Sequence, residues 1–185
     1  MSSQTFLDEN PPMILDATCS TLRLWPKKAT IRIDIRPEVK PDMVMDAREL
    51  QFPDHTFDEI YCDPPHVIDK RGLFRKPKFS RSFASRNRNL GPEYMTDLYI
   101  HNMARFGVWK SRGEWLDFVK RTDSEFYRCL KSSGELHYKI CESGKSESIR
   151  RTEIDGYAHF IVTKEKITRS PTGNPTYWLT MRPKP

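Results

Sequence analysis

The tetrapeptide Asp63-Pro64-Pro65-His66 brings three groups suited to one task into a single turn. It follows Glu59-Ile60-Tyr61-Cys62, a run that reads as the end of a buried strand. The first proline fixes φ and keeps its own carbonyl out of local helical bonding. The Asp63 carboxylate and the Pro64 carbonyl can then both accept hydrogen bonds from one exocyclic NH2 on a planar ring, and the His66 ring can stack on that heterocycle. An amine held this way has its lone pair less delocalised into the ring and pointed at an incoming methyl group, so positioning supplies most of the rate. The alternatives are ordinary ones: His66 as a plain turn residue, and the whole turn as a structural corner.

The elements that must position this corner precede it. Met13-Ile14-Leu15-Asp16-Ala17-Thr18-Cys19 is an apolar run ending in an acid and small residues, which predicts a buried parallel strand feeding a tight turn. Ile31-Arg32-Ile33-Asp34-Ile35 predicts a second strand ending near an acid, and Asp42-Met43-Val44-Met45-Asp46-Ala47 a third. Phe52 to Asp58 reads as a turn into the fourth strand and its Asp-Pro-Pro-His corner. Acids thus end four strands on what should be one edge of a sheet, and open α/β sheets bind ligands outside the carboxyl ends of their strands. An acid ending the second strand of such a fold takes ribose hydroxyls. Each of Asp16, Asp34 and Asp46 also suits an ordinary turn or helix cap.

This series resembles the class I S-adenosylmethionine-dependent methyltransferases, in particular the amino-methyltransferases of nucleic acids, and is similar to small phage and prophage DNA methylase-like proteins. The resemblance covers most of the chain. Leu15-Asp16-Ala17-Thr18-Cys19 looks like the first cofactor motif, Asp34 like the ribose-binding acid, and Asp46 with Ala47 like the reader of the cofactor's adenine amine. Asp63 to His66 matches the catalytic motif, with Asp63 also facing the cofactor. Leu130-Lys131-Ser132-Ser133-Gly134-Glu135-Leu136 is similar to the turn before the family's fifth strand, and Tyr177-Trp178-Leu179-Thr180-Met181 to its closing strand. The resemblance implies an α/β, Rossmann-like, doubly wound sheet of seven mostly parallel strands, helices on both faces, and an antiparallel strand at the C-terminal end. It implies S-adenosylmethionine as cofactor and an exocyclic base amine in DNA or RNA as acceptor. The chain departs from the pattern at one place: Ser20-Thr21 follow Cys19 where the family carries glycines, and no glycine occurs before Gly72.

Composition bounds these readings. The 185 residues predict one domain, and 37% apolar residues suffice for a core. A mean hydropathy of -0.71 implies a highly charged surface. Residues 1–12 are polar, with neither a signal peptide nor a membrane span expected, so the sequence predicts a cytoplasmic protein. Cys19, Cys62, Cys129 and Cys141 form no CxxC pair, which points to free thiols in a reducing compartment rather than to a metal or a disulfide framework.

The net charge of +6 is unevenly placed. Lys70, Arg71, Arg75, Lys76, Lys78, Arg81, Arg86 and Arg88 follow the corner with no acid among them, interleaved with Phe74, Phe79 and Phe83. Basic and aromatic residues together suit a phosphate backbone and unstacked bases, so Lys70, Arg71, Arg75, Lys76, Lys78 and Arg81 are candidate substrate contacts beside His66. A solvated loop is the bland alternative. The segment belongs to a substrate-facing insert at about 67–110, too long for a plain connection. Trp109, near its end, suits packing or the edge of a lid. Glu114 to Leu130 is the clearest helix, with Trp115, Val119, Phe126 and Leu130 on an apolar stripe and Phe118 and Leu116 beside it. Glu135 to Ile140 predicts the fifth strand, Ser146 to Arg151 a short helix, and Tyr157 to Thr163 and Thr176 to Met181 a terminal strand pair.

Three functions fit: a nucleic-acid amino-methyltransferase, a non-catalytic nucleic-acid-binding protein that keeps the fold, and a protein glutamine N-methyltransferase. The partner expected is nucleic acid, with no membrane involved; a homodimer or a partner subunit would supply sequence reading that the single domain lacks.

Overall fold

The computed structural model describes residues 11–19, 29–68, 107–142, 148–169 and 173–185. Within these, seven strands form one sheet in the order β3-β2-β1-β4-β5-β7-β6. The strands are β1 (Ile14–Asp16), β2 (Ile31–Asp34), β3 (Met43–Val44), β4 (Phe57–Cys62), β5 (Leu130–Cys141), β6 (Phe160–Arg169) and β7 (Pro175–Pro183). β1 pairs in parallel with both β2 and β4, β2 with β3, and β4 with β5. β7 runs antiparallel to both β5 and β6. This is a Rossmann-like α/β sheet with an antiparallel C-terminal strand. Its central strand turns back in chain order between β1 and β4, the switch point at which such sheets bind ligands.

One α-helix, α1 (Arg112–Cys129), lies among the described residues, with short 3-10 turns at Pro37–Val39 and Arg151–Glu153. Ser111 caps α1, its hydroxyl accepting from Glu114 N at 3.1 Å. The Glu114 carboxylate in turn accepts from Lys110 N at 2.6 Å. The helix buries Trp115, Phe118, Val119, Thr122, Phe126 and Cys129. These meet Leu136, Tyr138 and Ile140 of β5, Ile60 and Cys62 of β4, Leu15 and Ile33 in one core. Leu116, expected beside the stripe, is instead 45% exposed, since one residue after Trp115 it sits about 100° round the helix. None of the described helices is long and apolar enough to cross a membrane.

Three boundaries differ from the sequence pattern. The third strand is only Met43–Val44, with both side chains exposed. The Ser132-Ser133-Gly134 segment is not a turn ahead of a strand: β5 begins at Leu130 directly after α1 and absorbs the extra residues in a bulge, Phe57 pairing with Leu130 but Glu59 with Glu135. A Cβ on Gly134 would lie 2.8 Å from the Leu130 side chain and 2.9 Å from the Asp58 carbonyl, so the bulge closes only over glycine. β6 starts at Phe160, later than expected, because Tyr157 is drawn into the core, its hydroxyl 2.9 Å from Thr122 Oγ1. The short helix expected from Ser146 lies partly outside the described residues.

Among the described residues β6 forms one of the two edges of the sheet and β3 the other, and the β6 residues from Ile161 to Lys166 are exposed. Lys164 and Lys166 on that edge, with the bulge between Val162 and Lys164, oppose strand addition. All four cysteines are free; Cys19, Cys62 and Cys129 are buried and Cys141 is half-buried.

Candidate functional site

The carboxyl ends of β1, β2, β3 and β4 and the start of α1 enclose a cleft of about 210 Å³. Ala17, Thr18, Asp34, Ile35, Met45, Asp46 and Ala47 line it from the strand ends, and Asp63 and Pro65 from the Asp-Pro-Pro-His corner. Gly107, Val108, Trp109, Glu114 and Phe118 close the opposite side. The structure therefore gathers Ala17, Thr18, Asp34, Asp46, Ala47 and Asp63, from four separate segments, around one space. Asp16 is buried just beneath it. The candidate contacts Lys70, Arg71, Arg75, Lys76, Lys78 and Arg81 lie outside the described residues.

The three strand-end acids share one local geometry. Each accepts a hydrogen bond from the backbone N–H two residues on: Thr18 N to Asp16 Oδ1 at 3.3 Å, Arg36 N to Asp34 Oδ1 at 3.0 Å, and Arg48 N to Asp46 Oδ1 at 2.9 Å. These are Asx turns, which Asp favours because its short carboxylate reaches its own backbone. The turn-forming and cleft-lining readings of these residues are thus compatible.

Two arginines that the sequence pattern did not single out complete the geometry. Arg36 forks onto Asp34, Nε to Oδ1 at 2.9 Å and a terminal nitrogen to Oδ2 at 2.9 Å. Arg48 does the same to Asp46, with Nε 3.1 Å from both carboxylate oxygens and a terminal nitrogen 2.7 Å from Oδ2. The signal was present as a repeated Asp-x-Arg, at 34–36 and 46–48. Burial pushes the Asp46 carboxyl up, but its bonds to Arg48 outweigh this and hold it below the usual carboxylate range. Among the described residues, no cation forks onto Asp16 in this way. Burial raises its carboxyl to about 7, with Asp63 and Asp34 adding to the rise and the Thr18 N–H opposing it.

The corner itself is tied to the cleft on three sides. Asp63 N donates to Thr18 Oγ1 at 2.6 Å. The Trp109 indole N–H donates to the Pro65 carbonyl at 2.7 Å, while its ring lies against Trp115 and Phe118. Trp109 thus packs as a core residue and also walls the cleft. Gly107 lies on Pro65 with φ 68°, and a Cβ there would stand 3.2 Å from Pro65 Cγ. Only glycine combines that left-handed backbone with so close an approach.

Asp63 is 9% exposed and its two oxygens differ. Oδ2 accepts from Lys139 Nζ of β5 at 2.8 Å. Oδ1 has His66 Nε2 at 3.1 Å, off the hydrogen-bonding direction, so it is a buried acceptor with no donor aligned on it. His66 Nδ1 accepts from Cys141 N at 3.4 Å, which places a ring proton on Nε2, on the side of Asp63. Nδ1 is engaged by the protein and Nε2 lies against Asp63, so what the ring offers a bound base is its face. Burial pushes the Asp63 carboxyl up, but neighbouring His66 and the Lys139 ammonium outweigh it and hold the group below the usual carboxylate range. Asp63 is therefore an ionised hydrogen-bond acceptor at neutral pH and a poor proton acceptor. The thiol of Cys62, beneath it, is pushed far up by burial and stays protonated.

Lys139 itself was not anticipated. It sits opposite Trp178 in the β5–β7 register, its ammonium 5.3 Å from the centre of the indole ring. The Trp178 indole N–H donates to Thr168 Oγ1 of β6 at 3.0 Å.

No protein-family model matches the chain, and no curated protein matches it in sequence. Solved structures do resemble it in fold. The PH0226 protein of Pyrococcus horikoshii superposes with a TM-score of 0.54 at 15% identity, over 96% of this chain and 84% of that one. The 1,6-didemethyltoxoflavin-N1-methyltransferase of Burkholderia thailandensis, solved with S-adenosylhomocysteine and 1,6-didemethyltoxoflavin bound, gives 0.51 at 12% identity, covering 95% and 72%. The [4+2]-cyclase SpnF gives 0.50 at 13% identity, covering 93% and 74%. One of these carries out methyl transfer and another a cyclisation, so the likeness establishes the fold, and function has to be argued from the site.

Proposed function

We propose that this chain is an S-adenosylmethionine-dependent methyltransferase acting on an exocyclic amine of a nucleic-acid base. The observation that carries the reading is Asp63 Oδ1, a buried, ionised acceptor with no donor aligned on it, in a corner that opens on a cleft lined by Asp34 and Asp46. A buried unpaired acceptor is costly unless a ligand completes it.

The cleft fits the cofactor's parts. Asp34 would take the ribose hydroxyls and Asp46 the adenine amine, while Ile35, 59% exposed inside the cleft, offers with Met45 and Phe118 an apolar bed for the adenine ring. Buried Ala17 and Ala47 leave the strand-end backbone close to the space. Gly107 keeps the side next to Pro65 open. When bound, the cofactor supplies an activated methyl group.

The chain's own residues do the rest. Asp63 Oδ1 and the Pro64 carbonyl accept the two N–H bonds of the amine and orient its lone pair; the Pro65 carbonyl is already engaged by Trp109. The His66 face supports the base, in the way extruded bases are commonly held. Because Asp63 is held ionised by His66 and Lys139, its part is orientation, and the amine's proton leaves to solvent after transfer. The basic run from Lys70 to Arg81 follows the corner in sequence and suits the substrate's phosphates. That run favours nucleic acid over a protein glutamine as acceptor.

The test is transfer of radiolabelled methyl from S-adenosylmethionine to separate pools of DNA, RNA and protein, with Asp63→Ala alongside. Label confined to a nucleic-acid pool and lost in the variant supports the reading. Label in protein only would replace it with the glutamine reading, and cofactor binding with no label in any pool with the non-catalytic one.

A further inference from the structure

Asp63 is the end of a line of side chains that crosses the sheet. Lys139 Nζ holds Oδ2 at 2.8 Å, Trp178 lies beside Lys139 in register with its ring 5.3 Å from the ammonium, and Thr168 fixes the indole from β6 at 3.0 Å. Lys139 is only 14% exposed, so its ammonium has given up most of its water for one carboxylate oxygen and one ring face. A lysine buried at that expense, beside the carboxylate oxygen that the corner leaves open, is there to fix how that oxygen is presented.

The geometry points to Lys139 as a positioning residue for the transfer reaction: by binding Oδ2 it locks the Asp63 carboxylate in one rotamer and reserves Oδ1 for the substrate amine. This rests on the function proposed above. Without the ammonium, the carboxylate is free to turn toward His66, and the buried group loses its counter-charge. Among the described residues, the charged and titratable groups facing Asp63 are Asp16 from β1, which opposes its ionisation, and His66 from its own turn and Lys139 from β5, which favour it, with the protonated Cys62 thiol beneath. Once Lys139 is removed, burial and Asp16 act together against the ionised form, and of the groups that favoured it only His66 remains.

Lys139→Met and Lys139→Arg separate this from a merely structural role. For Lys139→Met we expect kcat lower by about a hundredfold at neutral pH, with cofactor affinity within about twofold of wild type and the acid limb of the pH profile moved to higher pH. Lys139→Arg, which keeps the charge, should stay within about tenfold of wild type. An unaltered kcat and pH profile in Lys139→Met would overturn the inference while leaving the proposed function standing. A second measurement needs no activity: the melting temperature of Lys139→Met should fall progressively further below wild type as pH rises from about 5 to 8, because a buried carboxyl with a raised folded-state pKa loses stability as it ionises. In Asp63→Asn/Lys139→Met that widening should vanish; a deficit independent of pH in the single variant would also overturn the inference. If wild type transfers methyl to nothing, the proposed function falls, and the melting curves still decide whether Lys139 governs Asp63.

Discussion

Asp63 N donates to Thr18 Oγ1 at 2.6 Å, so the turn after β1 and the turn after β4 are joined by one short bond between residues 45 apart in sequence. The threonine hydroxyl makes the acidic corner and the first strand-end turn a single unit. Thr18→Val keeps the shape and removes the acceptor, leaving a part-buried N–H unpaired. We expect a loss of about 1–3 kcal/mol in chemical denaturation, largely recovered in Thr18→Ser. A neutral Thr18→Val would show that water replaces the hydroxyl there.

Asp16 makes stability depend on pH near neutrality. Its folded-state carboxyl stands at about 7, above its ordinary value of 3.8, because burial, Asp63 and Asp34 disfavour the charge. A raised folded pKa stabilises fully below the unfolded value and loses that contribution as pH rises through the folded one. Wild type should therefore weaken between about pH 4 and pH 8, by up to the order of 2–4 kcal/mol, and Asp16→Asn should flatten that slope. Denaturation midpoints measured across this range decide it; equal slopes in both proteins would mean that Asp16 ionises at its ordinary pKa.

Gly107 should be irreplaceable beside Pro65. Gly107→Ala places a Cβ 3.2 Å from Pro65 Cγ on a backbone with φ 68°. The left-handed conformation alone costs about 1–2 kcal/mol for a residue with a Cβ. The displaced Pro65 should also weaken S-adenosylmethionine binding in calorimetry, whereas Gly173→Ala, with nothing within 4 Å of its added methyl, should leave that binding unchanged.

Neutralising Arg75, Lys76 and Lys78 together tests the basic run independently of chemistry. If each meets a phosphate, the slope of log affinity against log salt should flatten by roughly 0.7 per charge on single strands and 0.9 on duplex. Fluorescence anisotropy with labelled DNA and RNA measures it, and an unchanged slope would remove the run from the interface.

The apolar runs at Ile14–Leu15 and Ile31–Ile33, each closed by an acid, made the first two strands and the acids at their ends legible, because strand periodicity and strand-end chemistry are both local. The Asp-Pro-Pro-His corner was legible for the same reason. Lys139 was not: it stands in an alternating strand, Leu136-His137-Tyr138-Lys139-Ile140, where a lysine reads as solvent-facing, and its partner lies 76 residues away. Arg36 and Arg48 fall between these cases. The Asp-x-Arg pair is visible twice, yet the fork forms only because the Asx turn folds the arginine back over its own acid. The Ser132-Ser133-Gly134 segment misled because a turn and a wide bulge use the same small residues, and only the pairing of Glu59 with Glu135 distinguishes them.

The line from Asp63 through Lys139 and Trp178 ends at Thr168, on the outermost strand. A residue there would ordinarily be free to drift, since an exposed edge tolerates almost any β-former. Here the drift has a remote reader: an exchange of Thr168 for valine releases the indole, loosens the ammonium and reaches the corner three strands away. Among relatives of this chain, the identities at 168, 178 and 139 should therefore change together, and a lineage that has replaced Lys139 should have lost the constraint on Thr168 as well.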